Sequence, residues 1–354
     1  MVGTAKIKIE RVRESRLPGV NFKDLMFGRT FTDHMFMADF RGGTWQNLRI
    51  VPFGYLQISP ASPAIHYGQA IFEGLKAHRG PNNEVLIFRP IENWKRLNIS
   101  AERMALAPVP EDVFMDGLIS LIELDREWVP KPEGSSLYLR PFLFSADEYI
   151  GIRPSVDFTF MIVASPSGAY YSQPLRVKIE TKYTRAVEGG TGYAKAAGNY
   201  AGAIYPTKLA QEQGYHQLIW TDGKKHEYIE ESGTMNLMFV IGDSLVTPSL
   251  GDSILAGITR DSVLTVARHW GMNVEERKVS VSELVNGLQS GNVKEAFGVG
   301  TAATIARIEA IGYDGKDYSL PSIDDGAFSK RVYAELDMIK RGAKADTFNW
   351  ILKI

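Results

Sequence analysis

The sequence has no cysteine among its 354 residues. Disulfides, thiolate nucleophiles and cysteine metal sites are thereby excluded. Histidine is scarce as well. The six present are scattered and form no HExxH pair, which argues against a structural or catalytic zinc site; no metal is expected. Neither sign of charge prevails. Lys and Arg number 40 against 41 Asp and Glu, a formal net charge of −1, so there is no electrostatic footprint for nucleic acid or an anionic membrane. No uninterrupted apolar run approaches the length needed to span a bilayer. The basic residues Lys6, Lys8, Arg11, Arg13 and Arg16 are interrupted by Glu10 and Glu14, with no apolar stretch behind them. That pattern is unlike a secretory signal, and a cytoplasmic enzyme is the expectation. Internal repeats and low-complexity tracts are also missing.

What is present is the composition of a soluble globular protein, 44% hydrophobic and 23% charged, in a chain long enough for two domains. Val85 to Phe88 reads as a strand stopped by Pro90, followed by a helix over 92–104 with Trp94, Leu97 and Met104 on one face. Strand patterns recur at 136–144 and 158–164. Ser165-Pro166-Ser167-Gly168 and the residues to Pro174 then read as a linker. The expected division is a small domain over 1–167, a linker over 168–176 and a large domain over 177–354. Strand patterns resume at 175–180, 217–220, 237–241 and 244–247. A helix over 259–270 has Asp261 in its first turn, Arg268 and His269 in its last, and Gly271 at its stop. Strands and helices interleave throughout, so the class is mixed α/β.

The chemistry is concentrated in a few segments. Lys195 lies between Gly189-Gly190-Thr191-Gly192 and Gly198, with Tyr200 five residues on. So little side-chain bulk lets a planar ligand approach closely, and an amine held there can form a Schiff base with an aldehyde cofactor. Glu231 precedes Ser232-Gly233-Thr234-Met235-Asn236. Leu255-Ala256-Gly257-Ile258-Thr259-Arg260 leads into a helix, whose N-terminus suits an anion. Gly298-Val299-Gly300-Thr301-Ala302-Ala303 is a second small-residue loop of that kind. Taken singly, each has an ordinary reading: a surface lysine in a glycine loop, a strand-end carboxylate, a turn before a helix.

Together these segments resemble the branched-chain aminotransferases, the fold type IV enzymes that use pyridoxal 5'-phosphate. The resemblance extends to Phe31-Thr32-Asp33-His34-Met35-Phe36, to His66-Tyr67-Gly68-Gln69-Ala70-Ile71-Phe72-Glu73-Gly74-Leu75-Lys76-Ala77 and to Tyr138-Leu139-Arg140-Pro141. It implies two α/β domains, a homodimer with subunit-shared sites, and ping-pong transfer between L-leucine, isoleucine or valine and 2-oxoglutarate through a Lys195 aldimine. It implies that Glu231 stands beside the pyridine nitrogen and Tyr200 by the phenolic oxygen. Arg96, Thr234, Ile258, Thr259 and Thr301 join the cofactor site, and the amides of Thr301 and Ala302 meet the substrate carboxylate. Phe72 and Tyr138 line the apolar pocket, Arg140 reaches the distal carboxylate of glutamate, and Tyr67, Ile150 and Ile152 come from the partner. Glu230, the strand neighbour of Glu231, should point to the other side. Ala303 and Ala306 stand where some relatives carry a redox-active Cys-x-x-Cys pair. A D-amino-acid aminotransferase or an aminodeoxychorismate lyase would share the lysine and glutamate, but should lack the Phe-Glu-Gly-Leu-Lys-Ala and Tyr-Leu-Arg-Pro segments. A scaffold protein on a dead aminotransferase fold would have lost Lys195 or Glu231.

Overall fold

The computed structural model describes residues 6–132, 134–168 and 173–354. The chain divides into two compact units. One comprises Met1–Tyr170, Ala194–Gly198 and Met338–Ile354; the other comprises Tyr171–Tyr193 and Asn199–Asp337.

The first unit opens with β1 (Lys8–Ile9), β2 (His34–Arg41) and β3 (Thr44–Pro52). It continues through α1 (Pro63–Tyr67), β4 (Ala70–Phe72), β5 (Leu75–Arg79) and β6 (Val85–Phe88). Helices α2 (Pro90–Arg103) and α3 (Glu111–Leu124) precede the long strands β7 (Ser136–Ser145) and β8 (Phe158–Ser167). Pro90 takes the first position of α2, where its missing N–H is not needed. β8 lies between β2 and β7 and is antiparallel to both. Alternation sorts the side chains of β2. Phe36 and Ala38 enter the large core with Leu97 of α2 and Phe114, Leu118 and Leu121 of α3, whereas Met35 joins Phe144 and Met161 in a smaller cluster. Burial on both faces explains the nearly unbroken apolar runs of β7 and β8.

Ser165, Pro166 and Ser167 correct the linker reading, because they are buried residues of β8. Pro166 pairs with Leu137 of β7 and lies beyond Ile162, where pairing with β2 ends, so its missing N–H leaves no gap in that ladder. Of the expected linker, 169–172 fall outside the described residues, and Leu175 already begins a strand.

The second unit contains β9 (Leu175–Ile179), α4 (Ala197–Glu212, its first two residues counted with the first unit), β10 (Gln217–Thr221), β11 (Ile229–Ser232), β12 (Met235–Ile241) and β13 (Ser244–Thr247). Next come α5 (Ile258–His269), β14 (Asn273–Glu276), α6 (Val281–Ser290), β15 (Val293–Gly300), β16 (Thr304–Tyr313), β17 (Lys316–Ser319) and α7 (Phe328–Lys340, its residues from Met338 on counted with the first unit). β11 pairs with both β10 and β12, so β9, β10, β11, β12, β15 and β16 close a ring. Closure leaves these strands no open edge between them. Val177, Ile219, Leu237, Phe239 and Ile311 share one core.

The chain then returns to the first unit. β18 (Ile351–Lys353) pairs antiparallel with β6. The lysine segment returns in the same way, for Ala196 bridges Ile71 of β4. A linear division after residue 176 puts both segments with the second half. The pairings that place them in the first unit join residues far apart in sequence, where periodicity carries no signal.

Helix α3 packs on β2 through Gly117. A Cβ at that position would stand 2.5 Å from the ring of Phe36, which is fully buried. Alanine gains about 1 kcal/mol over glycine in a helix, but overpacking a tight core costs about 1–3 kcal/mol. Gly117→Ala is therefore expected to lower the melting temperature. An unchanged or higher value would show that the ring yields without loss.

Candidate active site

In the first unit the main chain of Lys195 is fastened on both sides. Its N–H donates to Ser100 Oγ on α2 at 2.9 Å, and its carbonyl accepts from the Phe72 N–H at 3.1 Å. The side chain brings Nζ to 4.8 Å from the centre of the Phe72 ring. Arg140 lies over the same ring at 4.6 Å and over the Tyr138 ring at 5.2 Å, and it donates to Tyr138 Oη at 2.9 Å. Phe27 packs edge-on against Tyr138. Four of the residues singled out in the sequence, Phe72, Tyr138, Arg140 and Lys195, thus form one cluster.

Arg96 faces Glu73. Its Nε donates to Oε1 at 2.7 Å and Nη2 to Oε2 at 2.8 Å, a fork that matches the carboxylate plane. Asn93 adds a bond of 2.7 Å to Oε2. Glu73 is completely buried. Burial alone would push its carboxyl up, but the charge and bonds of Arg96, the charge of Lys195 and the Asn93 bond hold it below the ordinary carboxylate range. Glu73 was not singled out in the sequence, although it stands inside the Phe-Glu-Gly-Leu-Lys-Ala segment next to Phe72.

In the second unit Glu231 is buried on β11. Its Oε1 accepts from the Leu255 N–H at 2.8 Å and from Asn236 Nδ2 at 3.1 Å. Its Oε2 lies 3.1 Å from Arg185 Nη2. Asn236 also donates to the Leu255 carbonyl at 2.8 Å. A Cβ on Gly257 would come within 1.9 Å of Asn236 Oδ1, so only glycine lets the two segments close up. β12 pairs with β15, setting Asn236 opposite Val299. The Gly-Thr-Met-Asn, Ala-Gly-Ile-Thr and Gly-Val-Gly-Thr-Ala segments are therefore spatial neighbours. Ile258 and Thr259 are buried at the start of α5, which has no side-chain cap. Thr301 and Ala302 lie in the turn between β15 and β16. Thr234 is exposed at the β11–β12 turn, and Tyr200 is half-buried in the first turn of α4. Glu230 is buried too, with Oε1 accepting from Ser253 Oγ.

The Phe-Thr-Asp-His-Met-Phe segment does different work. Asp33 accepts from Ser15 Oγ at 2.5 Å, the Arg16 N–H at 2.9 Å and Trp128 Nε1 at 3.0 Å. His34 Nδ1 lies 2.6 Å from Asp125, and its Nε2 accepts from the Val12 N–H. These residues tie the N-terminal arm and the end of α3 to the sheet. Tyr67, Ile150 and Ile152 are exposed; Tyr67 Oη donates to the Ile150 carbonyl.

Residues 70–311 match the family described as amino-transferase class IV, and the chain belongs to it. Among relatives, it is 40% identical to branched-chain-amino-acid aminotransferase 2 of Bacillus subtilis, over 98% of this chain and 97% of that one. It is 42% identical to branched-chain-amino-acid transaminase 1 of the same organism, over 93% and 94% respectively. Among solved structures, the Escherichia coli branched-chain amino acid aminotransferase superposes with a TM-score of 0.75 at 26% identity, over 90% of this chain and 98% of that one. The architecture is that of the fold type IV aminotransferases.

The Glu73–Arg96 pair makes a test of stability. Removing one partner of a buried ion pair leaves the other charge uncompensated, typically at a cost of about 3–5 kcal/mol. Glu73→Ala is expected to destabilise the cofactor-free protein by that order in denaturant titration. A loss below about 1 kcal/mol, the size of an exposed pair, would refute the pairing.

Proposed function

We propose that the chain is a branched-chain amino-acid aminotransferase. It moves an amino group reversibly between L-leucine, L-isoleucine or L-valine and 2-oxoglutarate. The observation that carries this reading is the Phe72, Tyr138 and Arg140 cluster beside Lys195 Nζ. Two aromatic faces suit a branched apolar side chain, and a guanidinium lying on them can pair with the distal carboxylate of glutamate. Two substrates of opposite character can then use one pocket in turn. A D-amino-acid aminotransferase or aminodeoxychorismate lyase is disfavoured by the same cluster.

The residues fit pyridoxal 5'-phosphate. An amine is fixed on a rigid main chain, an oriented carboxylate is buried on β11, and α5 begins without a side-chain cap. When bound, the cofactor supplies the electron sink for loss of the substrate α-proton. Lys195 would hold it through Nζ, and the same amine would serve as the base for the substrate α-proton. Glu231 would stabilise the proton of the ring nitrogen, and Tyr200 would donate to the phenolic oxygen. Arg96, with its plane fixed by Glu73, serves the phosphate together with Ile258, Thr259 and Thr301, while Thr234 borders the cofactor. Thr301 and Ala302 offer their amides to the substrate carboxylate. The same proposal puts the enzyme in the cytoplasm, where free amino acids and 2-oxo acids are its substrates.

The purified holoenzyme is expected to convert L-leucine and 2-oxoglutarate to glutamate. Borohydride reduction followed by peptide mapping should place the pyridoxyl label on Lys195, and Lys195→Ala should be inert. A label on Lys76 or elsewhere, or turnover by the variant, would defeat the assignment.

The proposal includes a homodimer that shares its sites. Tyr67, Ile150 and Ile152 are 44%, 64% and 90% exposed, an apolar set that a neighbouring subunit would cover. In symmetric pairing each partner lends the same patch to the other. A Lys195→Ala chain mixed with a Tyr67→Ala chain should then give more activity than either alone, since one site of the mixed dimer has neither defect. No gain, with mixed dimers verified by mass spectrometry and Tyr67→Ala impaired by itself, would exclude sharing through Tyr67.

A further inference from the structure

We propose that Arg185 is the positioning residue that fixes Glu231 as an oriented anion and thereby keeps the cofactor's ring nitrogen protonated. This deepens the reading above and rests on the role assigned there to Glu231.

Arg185 and Glu231 are both nearly enclosed, 8% and 5% exposed at their side chains, with Nη2 at 3.1 Å from Oε2. The same Nη2 donates to the main-chain carbonyl of Ser253 and lies 3.5 Å from that of Gly192. Backbone acceptors do not swing, so the guanidinium is anchored independently of the carboxylate it serves. Leu255 N–H and Asn236 Nδ2 hold the other oxygen of Glu231. One carboxylate oxygen thus accepts two hydrogen bonds and the other faces the guanidinium as an ion pair, so rotation about the terminal torsion would disturb both. An arginine cannot be deprotonated in a protein, so the charge it presents is permanent.

One neighbour could divide that charge. Glu230 is adjacent in sequence, and its electrostatics are coupled to both Arg185 and Glu231. The residue is 8% exposed, and its Oε2 has no hydrogen-bond partner among the described residues. Burial above all raises the Glu230 carboxyl, against the pull of the Ser253 hydroxyl and of Arg185. Burial therefore weakens the claim of Glu230 on the arginine, whose nearest carboxylate oxygen is that of Glu231. Ser253 stands at the junction, with its hydroxyl on Glu230 and its carbonyl on Arg185.

The test uses holoenzyme reconstituted with pyridoxal 5'-phosphate isotopically labelled at the ring nitrogen. The nitrogen NMR signal of the resting enzyme separates the protonated from the bare ring. In Arg185→Met the signal should move to the bare form, and kcat should fall on the order of a hundredfold with a smaller change in KM. Arg185→Lys, which keeps a charge at the same place, should restore the protonated signal; a merely structural arginine would not produce that pattern. A protonated signal in Arg185→Met, with kcat near that of the wild type, would overturn the proposal. Glu231→Gln separates the two levels. If it moves the signal and Arg185→Met does not, Arg185 has no such role and the placement of Glu231 stands. If Glu231→Gln also leaves the ring protonated, the placement of Glu231 is itself wrong. Arg185→Gln is read in the same way should the methionine variant fail to fold. Failure of both neutral variants to fold would make Arg185 structural, and the proposal would fall.

Discussion

A closed circuit of bonds surrounds Lys195 in the first unit. The Lys195 N–H donates to Ser100 Oγ, and Ser100 Oγ donates to the Arg96 carbonyl one turn back on α2. Arg96 grips Glu73, and the residue before it, Phe72, donates its N–H to the Lys195 carbonyl. The circuit joins a helix, a short strand and a segment that arrives from more than ninety positions along the chain. Fixing a backbone residue costs about 1–2 kcal/mol in conformational entropy. Here the fold itself accomplishes that ordering.

The circuit also explains a glutamate without an obvious task. A buried Arg–carboxylate pair is a poor source of stability, because desolvation consumes most of the attraction and an apolar pair would often serve as well. Glu73 and Arg96 are both buried and joined by two matched bonds. We read the pair as an orienting device. It fixes the guanidinium plane and places a negative charge where Lys195 feels it. Glu231 and Arg185 repeat the arrangement in the second unit. Each unit therefore contains a buried arginine–glutamate pair.

Much of the fold and some of the site was legible in the sequence, and the boundary between what was and was not has a physical reason. The helix expected over 259–270 is α5 (Ile258–His269), with Gly271 at a φ of 75° where the chain leaves it. The strand ended by Pro90, and the strand at Ser244–Thr247, lie where they were expected. Those signals are local: a cap, a breaker, an alternation. Phe72, Tyr138 and Arg140 were found through a resemblance, which carries information about distant neighbours that periodicity does not. Arg185 carried no signal at all. It sits in Thr184-Arg185-Ala186, with nothing in its spacing to mark it, and its partners lie at 192, 231 and 253. Pro166 misled, because a proline in a strand is tolerated only where the neighbouring ladder has ended, and pairing is not visible along the chain.

A family signature also need not mark a reactive residue. Asp33 and His34 lie in one of the most recognisable segments of the chain, yet their bonds run to Ser15, Arg16, Trp128, Val12 and Asp125, all of them scaffold. Asn236 and Gly257 make the same point at closer range. The asparagine bridges Glu231 and the Leu255 carbonyl, and the missing side chain at Gly257 gives it room. Neither residue has chemistry of its own to offer at that spot. Both determine where Glu231 stands, and a buried carboxylate acts only on what it is aimed at. The recognisable segments are therefore best understood as the places where direction must be held, with the reactive groups a minority among them.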